Sequence, residues 1–541
     1  MTEVRPARGA GQWLEGIKVP QNSLKKARVE PFRPEALWAD TLAPFRRTVA
    51  ARPDAIAIDD GVRRVSFGQL LASVEALAEK ISTSTAPGQL LMGVARNDAY
   101  FPVMIMAAIL AGRPLTIQDV DTSSDRQAVI YDAARPSALL VPEAHSLDLA
   151  YVPPTIPRIV AELNAPSPAV TMLRPLGAED VLAFPFTSGS TGKPKGLAVP
   201  AASLPLMLDD FLNCFAIDSD DVVLSIASPS TMGNRDAIVA LFAGAKLRLL
   251  DPKTAGMLGV LRALREENIT FFGMVPSVVR TMMTIPGASG AFKSLRLLSL
   301  VGEALSRDDL QLFRSELPDD CEISLVLGSS EAGQVFQWFV RDEAVTGSRV
   351  PLGYLVAGRR IALIDEDGQP ALPGEAGELV ISDRGVAVAD LVDGELDITR
   401  FARDEETGFP TYATGDMVRR REDGLYEFVS RRDRMVKIRG LRVELDAIEA
   451  VLKSIPTIAD AVVVTQQREE RDAALVAFVV LAPGQTVTNA EMRKVFANGP
   501  WAHVLPSVFH RLEEMPRLHN GKADLVRLSA LEASLSKVGH D

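Results

Sequence analysis

The most informative stretch of this chain reads Thr187-Ser188-Gly189-Ser190-Thr191-Gly192-Lys193-Pro194-Lys195-Gly196. It combines four hydroxyl side chains, three glycines and two lysines in ten residues. Glycines let the backbone approach a ligand closely and turn its N–H groups inward. Hydroxyl and ammonium groups add further donors for oxyanions. The composition therefore predicts a loop that binds a polyphosphate.

The residues around this loop indicate how it is held. The apolar segment from Leu182 to Phe186 leads directly into it and predicts a strand that gives the loop a rigid base. The spacing after Gly189 lacks the GxxxxGK[ST] pattern, so the loop is not a Walker P-loop. For a bare Gly/Ser stretch, the alternative is a flexible polar surface loop.

Length and composition restrict the class of protein. A chain of 541 residues exceeds the size at which one core stops growing, which predicts at least two domains. The net charge of −12 disfavours nucleic-acid and membrane partners. Two distant cysteines, Cys214 and Cys321, exclude a disulfide framework and a CxxC zinc site. With no secretory signal at the N-terminus, these features favour a cytoplasmic protein.

The pattern of helices and strands predicts an α/β fold with layered sheets. Residues 1–35 form an N-terminal extension, and a large adenylation-type domain is expected over 36–432. Within it, Asp-Gly and Pro-Gly turns between short strands predict a β-rich subdomain over about 352–432. A small mobile α/β domain is expected over 433–541. The apolar run from Phe101 to Gly112 is too short to span a bilayer and predicts a buried helix.

Further motifs follow the glycine-rich loop in a definite order. They read Gly302-Glu303-Ala304, Leu327-Gly328-Ser329-Ser330-Glu331, Tyr412-Ala413-Thr414-Gly415-Asp416, Arg431-Arg432-Asp433 and Asn520-Gly521-Lys522. Together with the loop, they resemble the motifs of the acyl-adenylate-forming superfamily. That superfamily contains the adenylation domains of nonribosomal peptide synthetases, acyl- and aryl-CoA ligases and luciferases, and the wording here is closest to free-standing adenylation domains.

The resemblance implies ATP and Mg²⁺ as cofactors. Glu331 is the implied metal ligand, in keeping with the preference of Mg²⁺ for hard oxygens. Lys195, Glu331 and Lys522 are the implied catalytic residues. The residues implied for nucleotide binding are Thr187, Ser188, Gly189, Ser190, Thr191, Gly192, Lys195, Gly302, Glu303, Ala304, Gly328, Ser329, Ser330, Asp416 and Arg431.

Each motif on its own has a simpler interpretation. Ser330-Glu331 alone would suit a helix N-cap followed by a first-turn acid. Gly415-Asp416 alone would suit a turn before a strand, and Asn520-Gly521 is an ordinary turn sequence. Two positions depart from the family pattern, because Leu327 replaces a tyrosine and Ala413 replaces an arginine.

The resemblance also implies a hinge and a mobile lysine. Asp433 is the implied hinge residue, and Lys522 would reach the carboxylate and the α-phosphate during adenylation, where its charge offsets two approaching anions. The basic stretch from Arg419 to Arg442 contains nine cationic residues. Taken alone it favours a solvated charged face; beside the hinge it is a candidate contact for an acidic carrier protein.

The choice of acid depends on the stretch from Thr231 to Asp236. Amino-acid-activating members of the superfamily place an aspartate where Thr231 stands, and a buried ammonium without a carboxylate partner is costly. Either the substrate lacks an α-amino group, or Asp236 supplies the charge, and Arg235 could meet a second acidic group. A surface pair of Arg235 and Asp236 is the alternative. The predicted substrate-pocket residues are Thr231, Asn234, Arg235, Asp236 and Met274.

These features predict an AMP-forming ligase. It would convert a carboxylic acid to acyl-AMP with release of pyrophosphate, then transfer the acyl group to the phosphopantetheine of a carrier protein acting in trans. An acyl- or aryl-CoA ligase, with coenzyme A as the acceptor, is the first alternative. A catalytically degenerate nucleotide-binding paralogue is the second, because Leu327, Ala413 and Thr231 depart from the family pattern.

Overall fold

The structure is a computed structural model of the 541-residue chain. It describes residues 13–16, 42–145, 147–164, 166, 176–188, 194–209, 212, 214–230, 235–342, 345, 347, 349–438, 441–468, 471–496, 505–517 and 523–538. The chain divides into two compact units. The first contains residues 1–414 and 419–427, and the second contains residues 415–418 and 428–541. The predicted boundary near Asp433 lies shortly after the start of the longer segment of the second unit.

The first unit contains a nine-stranded sheet that we call sheet A. Its strands run in the order Glu395–Asp397, Ala389–Val392, Pro194–Pro200, Val181–Ala183, Leu115–Asp119, Leu91–Ala95, Ala138–Pro142 and Arg158–Ala161. The ninth strand, Phe186–Ser188, also pairs with Pro194–Pro200. The last four strands of the order are parallel to one another, whereas Pro194–Pro200 is antiparallel to all of its partners.

A second nine-stranded sheet, sheet B, lies in the same unit. Its order is Tyr354–Leu355, Gly333–Phe339, Glu322–Ser329, Leu297–Val301, Phe271–Met274, Val222–Ser225, Lys246–Leu249, Ile56–Asp59 and Arg64–Ser66. Its central strands are parallel, with Met274 opposite Leu300 and Val301 opposite Val326. Parallel strands bring their carboxyl ends to one edge of the sheet, which is where open α/β sheets bind ligands.

Sheet C corresponds to the predicted β-rich region. Its order is Leu14–Glu15, Arg360–Ile364, Ala376–Ser382, Pro410–Arg420 and Phe401–Arg403, with Tyr426–Arg431 also paired to Pro410–Arg420. The first of these strands comes from the N-terminal extension and pairs Leu14 with Ile361. Gly16, which follows this strand, packs so closely against the backbone of Val356 that a Cβ there would lie 1.8 Å from the Val356 carbonyl oxygen.

Helices cover the sheets of the first unit. Phe67–Ser84 begins at a capping box, in which the Ser66 hydroxyl accepts from the Gln69 N–H and the Gln69 side chain accepts from the Ser66 N–H. The predicted buried helix spans Tyr100–Ala111, and nearly all of its side chains are buried. The other helices of this unit are Ala43–Ala51, Ser124–Ala134, Ser203–Asp209, Arg235–Ala243, Pro252–Glu266, Pro276–Thr284 and Arg307–Glu316. None of the helices in the described ranges is both long and apolar enough to cross a membrane.

The second unit has its own core. It contains the short helical turn Arg432–Arg434, the hairpin Met435–Ile438 with Leu441–Glu444, and the sheet Ile458–Arg468, Arg471–Leu481 and Val508–Leu512. Its helices are Leu445–Lys453, Asn489–Phe496 and Leu525–Val538. Buried aliphatic side chains from both the helices and the strands form the apolar clusters of this unit.

One predicted strand requires correction. The segment from Leu182 to Phe186 was expected to be continuous, but it forms parts of two strands, Val181–Ala183 and Phe186–Ser188. The break falls at Pro185, which has no N–H to donate to a ladder. Its carbonyl still accepts from the Leu197 N–H at 2.9 Å, so the chain re-enters the same sheet immediately.

Candidate functional site

The glycine-rich loop begins and ends on a pair of antiparallel strands. Thr187 lies opposite Lys195, and Ser188 lies opposite Pro194. A Cβ at Gly196 would lie 2.9 Å from the Phe186 ring, so a larger residue there would require that ring to shift. The side chains of Thr187 and Ser188 are not described, and the predicted ligands Gly189, Ser190, Thr191 and Gly192 lie outside the described residues.

Lys195 extends from the second of these strands toward a buried carboxylate. Its Nζ lies 4.0 Å from Oδ2 of Asp390, whose side chain is only 2% exposed. Asp390 belongs to Ala389–Val392, the strand that pairs with Pro194–Pro200 on the other side. Backbone pairing between neighbouring strands therefore sets the separation of this lysine and this aspartate.

Arg400 binds the same aspartate with two nitrogens. Its Nε and Nη2 donate to the two carboxylate oxygens of Asp390 at 2.8 and 2.7 Å, a bidentate pair. The guanidinium lies over the rings of Phe401 and Tyr412. Its hydrogen bonds to Asp390 raise the pKa of Arg400 above the ordinary value of the group, against the opposing effect of partial burial. Arg400 is therefore a permanently charged and well-fixed cation.

Glu331 completes this arrangement. The third guanidinium nitrogen of Arg400, Nη1, lies 3.3 Å from Oε1 of Glu331 and 3.3 Å from the hydroxyl of Tyr412. We call Lys195, Glu331, Asp390 and Arg400 the charged cluster. It contains two cations and two carboxylates, and it unites Lys195 with Glu331, which the sequence motifs place 136 positions apart.

The position of Glu331 follows from a tight hairpin. The strands Glu322–Ser329 and Gly333–Phe339 pair antiparallel, which leaves Glu331 in the connecting turn. Ser329 Oγ accepts from the Ala332 N–H at 3.2 Å, and the carbonyl of Glu331 accepts from the Ala387 N–H at 2.7 Å. Gly328 must be glycine, because a Cβ there would lie 2.4 Å from the carbonyl oxygen of Gly333. The helix N-cap interpretation of Ser330-Glu331 is therefore wrong.

The turn Gly302-Glu303-Ala304, implied in nucleotide binding, follows a neighbouring strand of sheet B. Gly302 has φ +87°, in the left-handed region that favours glycine, and Glu303 and Ala304 are exposed beside it. The carboxylate of Glu303 accepts from the backbone N–H of Ser277 at 3.0 Å and from its hydroxyl at 2.9 Å. It thereby caps the helix Pro276–Thr284, which has no cap from its own N-cap side chain. A role of this turn in nucleotide binding remains a prediction.

The predicted substrate pocket is described only in part. Met274 ends the strand Phe271–Met274 at the carboxyl edge of sheet B, and it packs against the core beneath it. Arg235 and Asp236 begin the helix Arg235–Ala243, although their side chains are not described. Thr231 and Asn234 lie outside the described residues.

The remaining predicted residues belong to the second unit. Asp416 follows Gly415, which has φ +74°, and its Oδ1 lies 3.0 Å from Nη1 of Arg431. These two residues, both implied in nucleotide binding, are therefore paired with each other in the second unit, and they lie in strands rather than in a turn. Asp433 lies in the turn Arg432–Arg434 with its side chain not described, and Lys522 lies outside the described residues.

The residue after Asp433 is tightly fixed. Arg434 donates through Nε to Asp446 at 2.9 Å, through Nη1 to the carbonyl of Val463 at 2.9 Å, and through Nη2 to Glu449. Glu449 also accepts from the Val463 N–H at 2.8 Å. Burial raises the pKa of Glu449, and the charge of Arg434 opposes that rise. Arg434 is thus bonded both to the helix Leu445–Lys453 and to the edge strand Ile458–Arg468 of this unit.

The site residues fit a magnesium ion shared with a phosphate ligand. Mg²⁺ is usually held by one or two carboxylates together with phosphate oxygens and water. Glu331 supplies one carboxylate in the charged cluster, with Oε1 oriented toward Arg400. The described residues contain no group of three or more His, Cys, Asp or Glu that would form an all-protein metal site.

Sequence reasoning did not find Asp390 or Arg400. Asp390 lies in the strand Ala389–Val392 and Arg400 precedes Phe401, with no recognisable motif around either residue. A charged residue inside a short apolar strand is the only signal that could have singled out Asp390, since buried acids require partners. The partner itself was not deducible, because any of the chain's 58 lysines and arginines could have supplied the charge.

Two family models match the chain. A family model described as "AMP-binding enzyme" matches residues 45–388, and one described as "AMP-binding enzyme C-terminal domain" matches residues 447–522. The chain is 28% identical to novobiocin biosynthesis protein H of Streptomyces niveus over 89% of its own length and 80% of that protein. It is 27% identical to the D-alanine–D-alanyl carrier protein ligase of Bacillus licheniformis, covering 90% of this chain and 98% of the ligase. Against the dimodular nonribosomal peptide synthase of Bacillus subtilis, at 28% identity, 92% of the chain spans only 22% of the relative.

Solved structures share the fold. A four-domain nonribosomal peptide synthetase bound to AMP and glycine superposes with a TM-score of 0.74 at 24% identity, over 90% of this chain and 36% of the other. The anthranilate CoA ligase AuaEII in complex with anthranoyl-AMP gives a TM-score of 0.77 at 18% identity, over 93% of this chain and 100% of the other. The α/β architecture with a large first domain and a smaller second one is therefore that of known adenylate-forming enzymes.

Proposed function

Since the chain belongs to the AMP-binding enzyme family of acyl-adenylate-forming ligases, we propose that it loads a carrier protein with a carboxylic acid. The acid is first converted to acyl-AMP, with release of pyrophosphate from ATP. The acyl group then passes to the phosphopantetheine thiol of a carrier protein supplied in trans. The similarity to a D-alanyl carrier protein ligase, over 98% of that ligase, supports a carrier as the acceptor.

One observation carries the adenylation step. Lys195 follows the glycine-rich loop, Glu331 lies in a hairpin far along the chain, and the two converge on the charged cluster through Asp390 and Arg400. A lysine and a lone carboxylate in this arrangement suit a polyphosphate accompanied by Mg²⁺. Mg²⁺ held by Glu331 would neutralise part of the phosphate charge.

The chemistry consists of two displacements. A carboxylate oxygen of the substrate attacks the α-phosphorus of ATP, and the bond from that phosphorus to the bridging oxygen of the leaving pyrophosphate breaks. In the second step the thiol sulfur, after losing its proton, attacks the acyl carbonyl and AMP leaves. Fixed cations lower the barrier of the first step, because negative charges approach one another in its transition state. Lys195 is one such cation, and the resemblance implies Lys522 as another.

The substrate class follows from the stretch that departs from the family. With Thr231 in place of an aspartate, the pocket lacks the usual partner for an α-ammonium. This favours an acid without an α-amino group, such as an aryl acid, unless Asp236 provides the carboxylate. Two structural neighbours contain anthranilate-type adenylates, which shows that the fold accommodates an aryl acid.

ATP–pyrophosphate exchange with a panel of amino, aryl and aliphatic acids tests the proposal. We expect exchange with a narrow group of acids and thioester formation on a phosphopantetheinylated carrier. Thioester formation on coenzyme A alone would reassign the acceptor. The absence of exchange with every acid, together with no ATP binding, would refute the enzyme function and favour a degenerate paralogue.

The variant Lys522→Ala separates the two steps. It should abolish exchange while preserving thioester formation from supplied acyl-AMP, because the lysine is needed only while the carboxylate meets the α-phosphate. Equal loss of both steps would contradict this role for Lys522.

A further inference from the structure

The guanidinium of Arg400 is held unequally along its two edges. Toward Asp390, its hydrogen bonds measure 2.7 and 2.8 Å, the length of strong charge-assisted pairs. Toward Glu331 and the Tyr412 hydroxyl, Nη1 has two contacts of 3.3 Å, which are longer than the usual range for N–H···O bonds. The first edge fixes the cation in place, and the second edge is free to exchange its weak partners for a stronger acceptor.

The buried carboxylate of Asp390 lies beside two cations. Its side chain is 2% exposed, while those of Lys195 and Arg400 are 31% and 36% exposed. The carboxylate is thus covered, and the two positive groups that it orients reach solvent. Lys195 Nζ is 4.0 Å from this carboxylate, which is beyond hydrogen-bond distance, so the ammonium retains the ability to bind another anion.

The charge balance of the cluster indicates which anion it accepts. The two cations and two carboxylates of the cluster balance, and the charge of the nearby Asp397 also acts on Lys195 and Arg400, so a simple monoanion gains little. A polyphosphate with Mg²⁺ would change this balance, because Glu331 would hold the metal and Arg400 Nη1 would then exchange its 3.3 Å contact with that carboxylate for a phosphate oxygen. Arg400 Nη1 and Lys195 Nζ are then two donors available to adjacent phosphate groups, and the planar fork of arginine suits phosphate oxygens.

We propose that Arg400, together with Lys195, binds the β- and γ-phosphates of ATP and the pyrophosphate that leaves. In this proposal the buried carboxylate of Asp390 orients both cations. This assignment rests on the proposed adenylation function and extends it to a residue outside the sequence motifs. A purely structural role, in which Arg400 only neutralises Asp390, is the competing explanation.

Phosphate binding by Arg400 and a purely structural role predict different affinities for ligands with and without β- and γ-phosphates. Binding of Mg·ATP, Mg·pyrophosphate and AMP to wild-type protein and to Arg400→Gln is measured by calorimetry. Loss of a charge-assisted hydrogen bond should weaken Mg·ATP and Mg·pyrophosphate by about 10- to 100-fold. AMP has no β- or γ-phosphate, so its affinity should stay within about two-fold of wild type, well below the tenfold step of one lost interaction.

Arg403→Gln is the matched control. Arg403 lies on the same strand as Phe401, is 58% exposed, and contacts the carbonyl of Gly408 and the side chain of Glu179. It should bind all three ligands as the wild type does. If Arg400→Gln does not fold, Arg400→Lys replaces it, because lysine keeps the charge beside Asp390 but cannot bind Asp390 and a phosphate group with two separate edges. Arg400→Lys should also lose affinity for Mg·ATP and Mg·pyrophosphate but not for AMP, with a smaller change.

The binding results distinguish failure of the proposed adenylation function from failure of the proposed role of Arg400. A wild-type protein that binds neither ATP nor AMP contradicts the proposed function itself. If the wild type binds both, an Arg400 variant that loses AMP and ATP equally, or that loses neither, overturns the role of Arg400 and leaves adenylation intact. Only selective loss of ATP and pyrophosphate supports it.

Discussion

Replacement of Arg434 by methionine tests how firmly the residue after the implied hinge is bound to the second unit. The guanidinium contacts Asp446, Glu449 and the carbonyl of Val463, and the side chain is 12% exposed. Methionine retains most of the aliphatic volume and removes all three hydrogen bonds. The two carboxylates then remain partly buried without their cation.

The expected loss of stability depends on the two carboxylates that are left without Arg434. Removal of one partner from a buried ion pair costs about 3–5 kcal/mol, because the other charge is left uncompensated. Glu449 keeps its bond from the Val463 N–H, and Asp446 is 21% exposed, so we expect the lower end, about 3 kcal/mol. That corresponds to roughly a hundred-fold more frequent opening of the second unit.

Hydrogen–deuterium exchange of the full-length chain measures this opening. Peptides from Leu445–Lys453 and Ile458–Arg468 should exchange roughly a hundred-fold faster in Arg434→Met, while peptides from sheet A keep their wild-type rates. Arg419→Met is the control. Arg419 forms a 2.7 Å pair with Glu427 but is 48% exposed, so its loss should cost at most about 1 kcal/mol.

The pH dependence gives a second criterion. Burial raises the pKa of Glu449, and loss of Arg434 should raise it further. A carboxyl with a raised folded-state pKa favours folding on the acidic side and loses that contribution as pH rises through the folded pKa. The penalty in Arg434→Met should therefore shrink as pH falls through the raised pKa of Glu449. Wild-type exchange rates in both peptides, or a penalty that grows on acidification, would refute this reasoning.

Three further changes have defined outcomes. Asp221→Asn should lower the free energy of unfolding of the first unit by about 3–5 kcal/mol in denaturant titration, since it leaves the Arg296 guanidinium without its bidentate carboxylate. The pKa of Asp221 is lowered because its bonds from Arg296 outweigh burial, so the wild-type advantage should be present at neutral pH and vanish as pH falls through that lowered pKa. Gly328→Ala should displace the hairpin that carries Glu331 and weaken Mg·ATP binding, measured by calorimetry, with an unchanged melting temperature counting against the predicted clash. Gly16→Ala should release the N-terminal strand from sheet C, measured as faster proteolysis near its N-terminus; wild-type protection would show that the close approach can relax.

Local features of the fold were predictable from sequence because local physics determines them. The buried helix predicted from Phe101 to Gly112 spans Tyr100–Ala111. The strands Ala138–Pro142 and Leu297–Val301 are likewise short apolar runs flanked by polar, glycine or proline residues, and the helix Phe67–Ser84 begins after the N-cap Ser66. Such elements can be recognised in the sequence because periodicity and capping are properties of neighbouring residues.

Pairings between distant residues were not predictable in this way. Asp390 pairs with Lys195, which lies far from it on the strand after the glycine-rich loop, and Arg400 links Asp390 to the distant Glu331 in the hairpin turn. The strand Leu14–Glu15 joins Arg360–Ile364 across most of the first unit's sequence. Such contacts follow from sheet order and register, and a two-residue strand has too little periodicity to reveal its partner.

The same distinction explains why the sequence specifies the nucleotide chemistry more fully than the acid. Lys195 and Asp390 lie on adjacent strands, and a backbone hydrogen bond from Ala387 holds the turn that carries Glu331. The proposed polyphosphate recognition therefore depends on charges whose separation is set by the main chain, so a short motif is enough to identify it. The proposed selection of an acid depends instead on the shape and charge of a few side chains around Thr231 to Asp236, where one substitution would change the partner available to the substrate. Exchange of Thr231 for aspartate is accordingly expected to alter the preferred acid in the exchange panel toward those with an α-amino group, while the affinity for ATP stays the same.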